Sequence, residues 1–80
     1  MAMIPRDAFY SDIKSIDFDN SSGEISAELV SPYPPGIPIL IPGEIITDEI
    51  VSYLNIMKKY GAVINGAEDK KLNTIKVVKN

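Results

Sequence analysis

Residues 25–47 read Ile25-Ser26-Ala27-Glu28-Leu29-Val30-Ser31-Pro32-Tyr33-Pro34-Pro35-Gly36-Ile37-Pro38-Ile39-Leu40-Ile41-Pro42-Gly43-Glu44-Ile45-Ile46-Thr47, and they restrict the backbone more than any other stretch of the chain. Five of the chain's six prolines fall here, at positions 32, 34, 35, 38 and 42. Each fixes its own φ, removes an N–H donor and pushes the residue before it away from helical geometry. The spacing predicts an extended segment over 32–42, with bends at Gly36 and Gly43 where a side chain would be costly. Ile37, Ile39, Leu40 and Ile41 fill the spaces between the prolines. So apolar a segment, with so few donors for a ladder, is expected to be buried rather than displayed.

On the N-terminal side, Ile25, Ala27 and Leu29 alternate with Glu24, Ser26 and Glu28, the pattern of a half-buried strand with the second set toward solvent. Helical phasing remains open for these six residues. The turn formers Asp19-Asn20-Ser21-Ser22-Gly23 precede it, and Ile16 and Phe18 share a face in Ile13–Phe18. The two short strands are expected to pair as a hairpin across that turn. On the C-terminal side, Thr47 is a helix N-cap candidate with Asp48 and Glu49 in the first turn, where the helix dipole favours acids. Ile50, Tyr53, Leu54 and Met57 form one apolar stripe, Lys58 and Lys59 close the last turn, and Gly61 stops it. A helix over about 48–60 follows. Ala62-Val63-Ile64 reads as a short strand ended by Asn65-Gly66, Ala67–Asn73 as polar loop, and Thr74–Val78 as a β-branched strand. The fold class is α+β, a single domain over 1–80: a small antiparallel sheet, one principal helix and the Pro-rich extended segment.

Composition excludes several kinds of chemistry. The 80 residues contain no cysteine and no histidine, which removes disulfide frameworks, thiolate zinc sites and histidine-based triads. A net charge of −3 argues against non-specific binding to a nucleic-acid backbone. The run Ile37–Pro42 is too short to span a bilayer, and Met1-Ala2-Met3-Ile4-Pro5-Arg6-Asp7 lacks the basic-then-apolar pattern of a secretory signal. A cytoplasmic chain with neither membrane nor nucleic-acid partners is therefore expected. Asp17, Asp19, Ser21 and Glu28 approach the spacing of a calcium loop, but Ser22 stands where that loop needs glycine and Gly23 comes one residue late. Solvated acids around a turn explain them better, and no metal site is expected. Pro32–Pro35 and Pro35–Pro38 have the spacing of polyproline ligands, without the flanking basic residues such ligands carry. Neither phosphate-binding glycine pattern occurs, and no carboxylate pair stands out for acid–base catalysis.

The core Tyr33-Pro34-Pro35-Gly36-Ile37-Pro38, followed by Pro42-Gly43-Glu44, resembles the C-terminal domain signature of the bacterial ornithine/lysine/arginine decarboxylases, which are fold-type-I pyridoxal-phosphate enzymes. The likeness runs upstream to Pro5–Tyr10 and downstream through Gly61–Asp69 to Thr74–Val78. The compact ending resembles the arginine-decarboxylase-like branch. Glu24 departs from the pattern, standing where relatives often carry a basic residue. The resemblance implies decarboxylation of a basic amino acid to a polyamine precursor, with the cofactor lysine following a histidine in another domain. This chain has no histidine, so none of its eight Lys and Arg residues is cast in that role. No catalytic or cofactor-binding residue is expected here, and pyridoxal phosphate belongs to the longer enzyme. Tyr33 matches the family's tyrosine at the active-site entrance, and Glu44 matches its Pro-Gly-Glu acid, a site-edge or structural carboxylate. Pro34, Pro35, Gly36, Pro38, Pro42 and Gly43 would hold that motif stiff. A core or interface role for Tyr33 remains the alternative. The implied partners are the remaining domains of a decarboxylase and further copies in a homo-oligomer. The rival reading is a free-standing interaction or regulatory module that reuses the domain.

Overall fold

A computed structural model describes residues 3–79. In chain order the elements are α1 (Pro5–Tyr10), β1 (Ile13–Asp17), a 3-10 turn (Phe18–Asn20), β2 (Ser31–Tyr33), α2 (Asp48–Lys59), β3 (Val63–Asn65) and β4 (Thr74–Val78). The strands form two antiparallel pairs, β1 with β4 and β2 with β3. The α+β expectation holds.

The helix forms as the sequence dictates. Thr47 Oγ1 accepts the Ile50 N–H at 3.2 Å, acids occupy the first turn and lysines the last, and Leu54 is fully buried. Strand β4 falls on the segment expected of it, and β3 lies one residue further along than expected, taking in Asn65.

Pairing differs from the expectation. Strand β1 does not form a hairpin with residues 24–29; it pairs with β4, Ile13 opposite Val78 and Asp17 opposite Thr74. The turn formers between them are consumed locally. The Phe18 carbonyl accepts both the Ser21 N–H and its hydroxyl, so the chain coils there instead of reversing as a two-strand turn. Residues 24–29 make isolated bridges rather than a strand, and their facing is partly inverted. Ser26 is fully buried, while Leu29 is exposed. Burial of Ser26 is tolerable because its hydroxyl donates to the Glu28 carbonyl at 2.7 Å and lies 3.2 Å from the Glu28 N–H that it accepts.

The Pro-rich segment instead belongs to a long irregular hairpin over residues 23–46. Gly23 donates to Ile46 O, Ile46 to Glu24 O, Ser26 to Glu44 O, Gly43 to Ser26 O and Val30 to Leu40 O, and the Gly36 N–H closes the tip onto Pro32 O at 2.8 Å. The outer edge of its first arm has two partners. Residues 25–27 lie against β4, through Ala27 N–H to Lys76 O and Val78 N–H to Ile25 O, whereas Ser31–Tyr33 pair with β3. Burial therefore applies to the base and not the tip: Pro32 and Leu40 are buried, but residues 33–38 are exposed. The structure corrects the expectation that 32–42 is interior. It also disfavours a polyproline ligand, since Gly36 at φ +85° interrupts the left-handed helix and Pro32 is covered.

One core unites the pieces, comprising Phe18, Val30, Leu40, Ile46, Leu54, Ile64, Ala67, Leu72, Ile75 and Val77. Leu72 lies in the stretch expected to be polar loop and adopts φ +51°. Left-handed geometry costs a non-glycine residue roughly 1–2 kcal/mol, and complete burial of a leucine returns about as much or more, so packing decides its conformation.

The N-terminal segment crosses the hairpin base at Gly43, where Met3 N–H donates to Gly43 O. A Cβ at Gly43, which has φ +96°, would stand 2.0 Å from Met3 O. Gly23 has a similar φ of +89°, but a Cβ there would meet nothing within 4 Å. Both Gly→Ala changes incur the conformational cost, but only Gly43→Ala must displace backbone. We expect Gly43→Ala to destabilise the chain by about 2 kcal/mol more than Gly23→Ala, read from urea unfolding midpoints. Equal midpoints would show that the crossing at Gly43 is absent in solution.

Candidate functional site

Tyr33 ends β2 at the tip of the hairpin, directly opposite Val63 of β3. Ser31 and Pro32 before it face inward, and Tyr33 turns out, with 59% of its surface exposed. The peptide bonds on either side of Pro34 are cis. Gly36 gives the ring its seat: a Cβ there would lie 3.3 Å from the ring's Cδ2. Glycine thus lets the aromatic edge rest on the turn. Val63, its partner across the ladder, is 57% exposed, and Ile37 in the same turn is 60% exposed, so the phenol stands on a partly open apolar surface. A phenol so mounted offers one donor/acceptor on a stiff support, with an apolar ring beneath it that can be covered by a neighbour.

Glu44 lies at the other end of the hairpin. Its Oε1 accepts the Ile41 N–H at 2.9 Å, its own N–H reaches Ile41 O at 3.2 Å, and its carbonyl accepts from Ser26. That carboxylate closes the turn through Pro42 and Gly43, a structural task. The two candidate site residues are separated by the Val30–Leu40 bridge and are not brought together within this chain.

Two carboxylates that the sequence did not mark as structural do more. Glu28, read as solvent-facing, accepts the Lys76 N–H on Oε1 at 2.8 Å and the Glu68 N–H on Oε2 at 2.7 Å. Asp69 accepts the Lys71 N–H on Oδ1 and the N–H groups of Asn73 and Thr74 on Oδ2, each at 3.0 Å, with the Thr74 hydroxyl at 3.2 Å. A hint lay in the sequence: an aspartate opening a short loop that leads into a strand is well placed to bond the following backbone. The calcium-like group disperses. Asp19 accepts from Asn55, Ser21 bonds Phe18 O and Glu28 bonds backbone, and no cluster of metal-ligating side chains occurs among the described residues.

The described residues do not fit pyridoxal phosphate. They form no enclosed pocket. Lys58 donates to Leu72 O beside the Phe18 ring, Lys76 pairs with Glu68, and Lys14, Lys59, Lys70, Lys71 and Lys79 are exposed. The N-terminus of α2 is already occupied by Thr47 and carries Asp48 and Glu49, which repel a phosphate. No helix among the described residues is long and apolar enough to cross a membrane.

Fold and surface together define a class: a small α+β module whose candidate contact residue is displayed on a stiff turn rather than enclosed. Comparison with known proteins gives the family. Residues 1–72 match the model of the "Orn/Lys/Arg decarboxylase, C-terminal domain". An arginine decarboxylase of Bacillus subtilis is 51% identical over 79 residues, 99% of this chain and 16% of that enzyme. A lysine decarboxylase of Hafnia alvei is 35% identical over 75 residues, 85% of this chain and 10% of that enzyme. Among solved structures, the constitutive lysine decarboxylase of Escherichia coli superposes with a TM-score of 0.78 at 28% identity, covering 99% of this chain and 13% of that one. The chain belongs to the Orn/Lys/Arg decarboxylase family, as its C-terminal domain. The higher identity to the Bacillus enzyme fits the arginine-decarboxylase-like branch. The chain spans about one-sixth or less of the length of these relatives, whose remaining length belongs to other domains.

The Asp69 geometry has a consequence in acid. Hydrogen bonds from the Thr74 N–H and then the Lys71 N–H hold its carboxyl below the ordinary value of 3.8. A depressed carboxylate contributes stability that is complete above the unfolded pKa and disappears as pH falls through the lower folded value. The Asp69 carboxyl should titrate below pH 3.8 by NMR, and Asp69→Asn should flatten the loss of stability in that acid range. A midpoint at the ordinary value would show that these bonds do not persist.

Proposed function

We propose that this chain is the C-terminal domain of a pyridoxal-phosphate-dependent basic amino acid decarboxylase, with Tyr33 standing at the rim of an active site built by the other domains. The observation that carries the reading is the exposed Tyr33 ring seated on Gly36 within the Tyr33–Pro38 motif. With 59% of its surface exposed, Tyr33 is open to a neighbour, and a stiff turn offers it at low entropic cost. Arginine is the favoured substrate, because the relatives with 46–51% identity are arginine decarboxylases; lysine and ornithine are the other members of the substrate class. Pyridoxal phosphate would be held by the other domains, where it would supply an electron sink for decarboxylation. Tyr33 contacts the polar substrate at the entrance. Glu44 acts on the rim only through the turn that it closes. The domain alone is inactive, packs against the rest of its polypeptide and works within a cytoplasmic homo-oligomer.

The test is a graft. Residues 1–80 replace the matching 79 residues of the Bacillus subtilis arginine decarboxylase. Arginine decarboxylation should survive, and Tyr33→Phe should raise KM for arginine about fivefold, the effect of losing one net hydrogen bond, with an unchanged unfolding midpoint. An unchanged kcat/KM would refute the role of Tyr33. A correctly folded but inactive graft would favour the interaction-module reading. Separately, the 80-residue chain mixed with pyridoxal phosphate should show no visible absorbance band of a lysine-bound cofactor. Appearance of a stable band would place a cofactor lysine in this domain after all.

A further inference from the structure

The first arm of the long hairpin changes its outer partner midway. Residues 25–27 bond to β4, and Ser31–Tyr33 pair with β3. Glu28 stands at that junction. Its two carboxylate oxygens take one N–H from each side of the seam, Lys76 in β4 and Glu68 just beyond β3, 48 and 40 residues away in sequence. Its backbone is fixed in turn by the buried Ser26 hydroxyl. Next to it, Gly66 packs so closely on Leu29 that a Cβ would lie 2.5 Å from Leu29 O. Three pairs follow in order, Ser31 with Asn65, Pro32 with Ile64 and Tyr33 with Val63.

A three-residue, two-stranded ladder is marginal by itself. This one contains Pro32, which cannot donate, and is followed at once by Pro34 and Pro35. Its geometry must therefore be imposed from the end opposite the tip, and there the Glu28–Glu68 bond and the Gly66–Leu29 contact supply the restraint. Charge-assisted bonds from N–H groups to a carboxylate are among the stronger ones available. We infer that Glu28 is the positioning residue for Tyr33, its bidentate grip on the Glu68 and Lys76 N–H groups setting the β2–β3 register and so the place of the phenol. This rests on the proposed role of Tyr33 at the active-site rim.

Glu28→Gln keeps the size and one acceptor oxygen but turns an NH2 group toward a backbone N–H. Thr47→Ala serves as the control, because it weakens the α2 cap without touching the hairpin. In the 80-residue chain, Glu28→Gln should speed amide exchange at Glu68 or Lys76 by about tenfold beyond any global change, and should lower the backbone order parameter of Tyr33. Thr47→Ala should do neither. In the graft, Glu28→Gln should raise KM with kcat largely retained, and the double variant with Tyr33→Phe should be no worse than Tyr33→Phe alone. Local exchange no faster than in the control, an unmoved Tyr33 order parameter, or additive KM effects would each overturn the inference. A Tyr33→Phe graft with unchanged kcat/KM would instead sink the rim reading, while the exchange data would still judge whether Glu28 orders the tip.

Discussion

Residues 32–42 have only six backbone N–H groups for eleven residues, and that shortage organises much of the domain. A segment so poor in donors cannot sit in a regular sheet, yet its carbonyls and its apolar side chains still need partners. The donors that remain are used sparingly. Gly36 closes the tip, Ile39 and Leu40 both reach the Val30 carbonyl, and Ile41 turns to the Glu44 side chain. The result is a hairpin held at a few points, with stretches between them that no ladder secures.

Side-chain oxygens take over where the ladder fails. Glu44 closes the base turn, Ser26 bonds the backbone of Glu28, Glu28 spans the seam between the two strand pairs, and Asp69 gathers the loop before β4. Each substitutes for missing sheet bonds, Glu28 across a long sequence separation and the others locally, and each places an oxygen where a backbone N–H would otherwise be left without a protein partner. The described residues contain no buried side-chain nitrogen or oxygen without a hydrogen-bond partner, which fits this division of labour.

The same physics explains what could be read from the sequence. Helix α2, β3 and β4 were legible because their signals are local: a Thr47 cap, an apolar stripe, a run of β-branched residues. The pairing of β1 with β4 was not, since residues 13–17 and 74–78 meet only through long-range register that no local pattern encodes. The alternation in 24–29 misled for a related reason. Ser26 goes inside and Glu28 serves the backbone because of what lies across from them in three dimensions, not because of their neighbours in sequence. Leu72 was hidden within a polar stretch, where one buried leucine leaves no periodic trace. Of the candidate site, the stiff setting was legible from the prolines, whereas Tyr33 was singled out by the family resemblance of its motif. The separation of Glu44 from Tyr33 required the hairpin.

Exposure at the tip follows from this arrangement. The base of the hairpin can be buried because β4 and the N-terminal segment cover it, with Gly43 admitting the Met3 backbone. The tip lies beyond those elements, and β3 pairs with it over three residues. Covering Tyr33, Ile37 and Val63 would require more chain than the short ladder can supply. A structure that leaves its proline-rich turn exposed does not minimise exposed apolar area; it holds one aromatic group outward at that cost. The domain's stability and the placement of Tyr33 are thus partly separate properties. Stability rests on the Phe18–Leu54–Ile75 core, and placement rests on the proline turn and the hydrogen bonds at the base of the ladder.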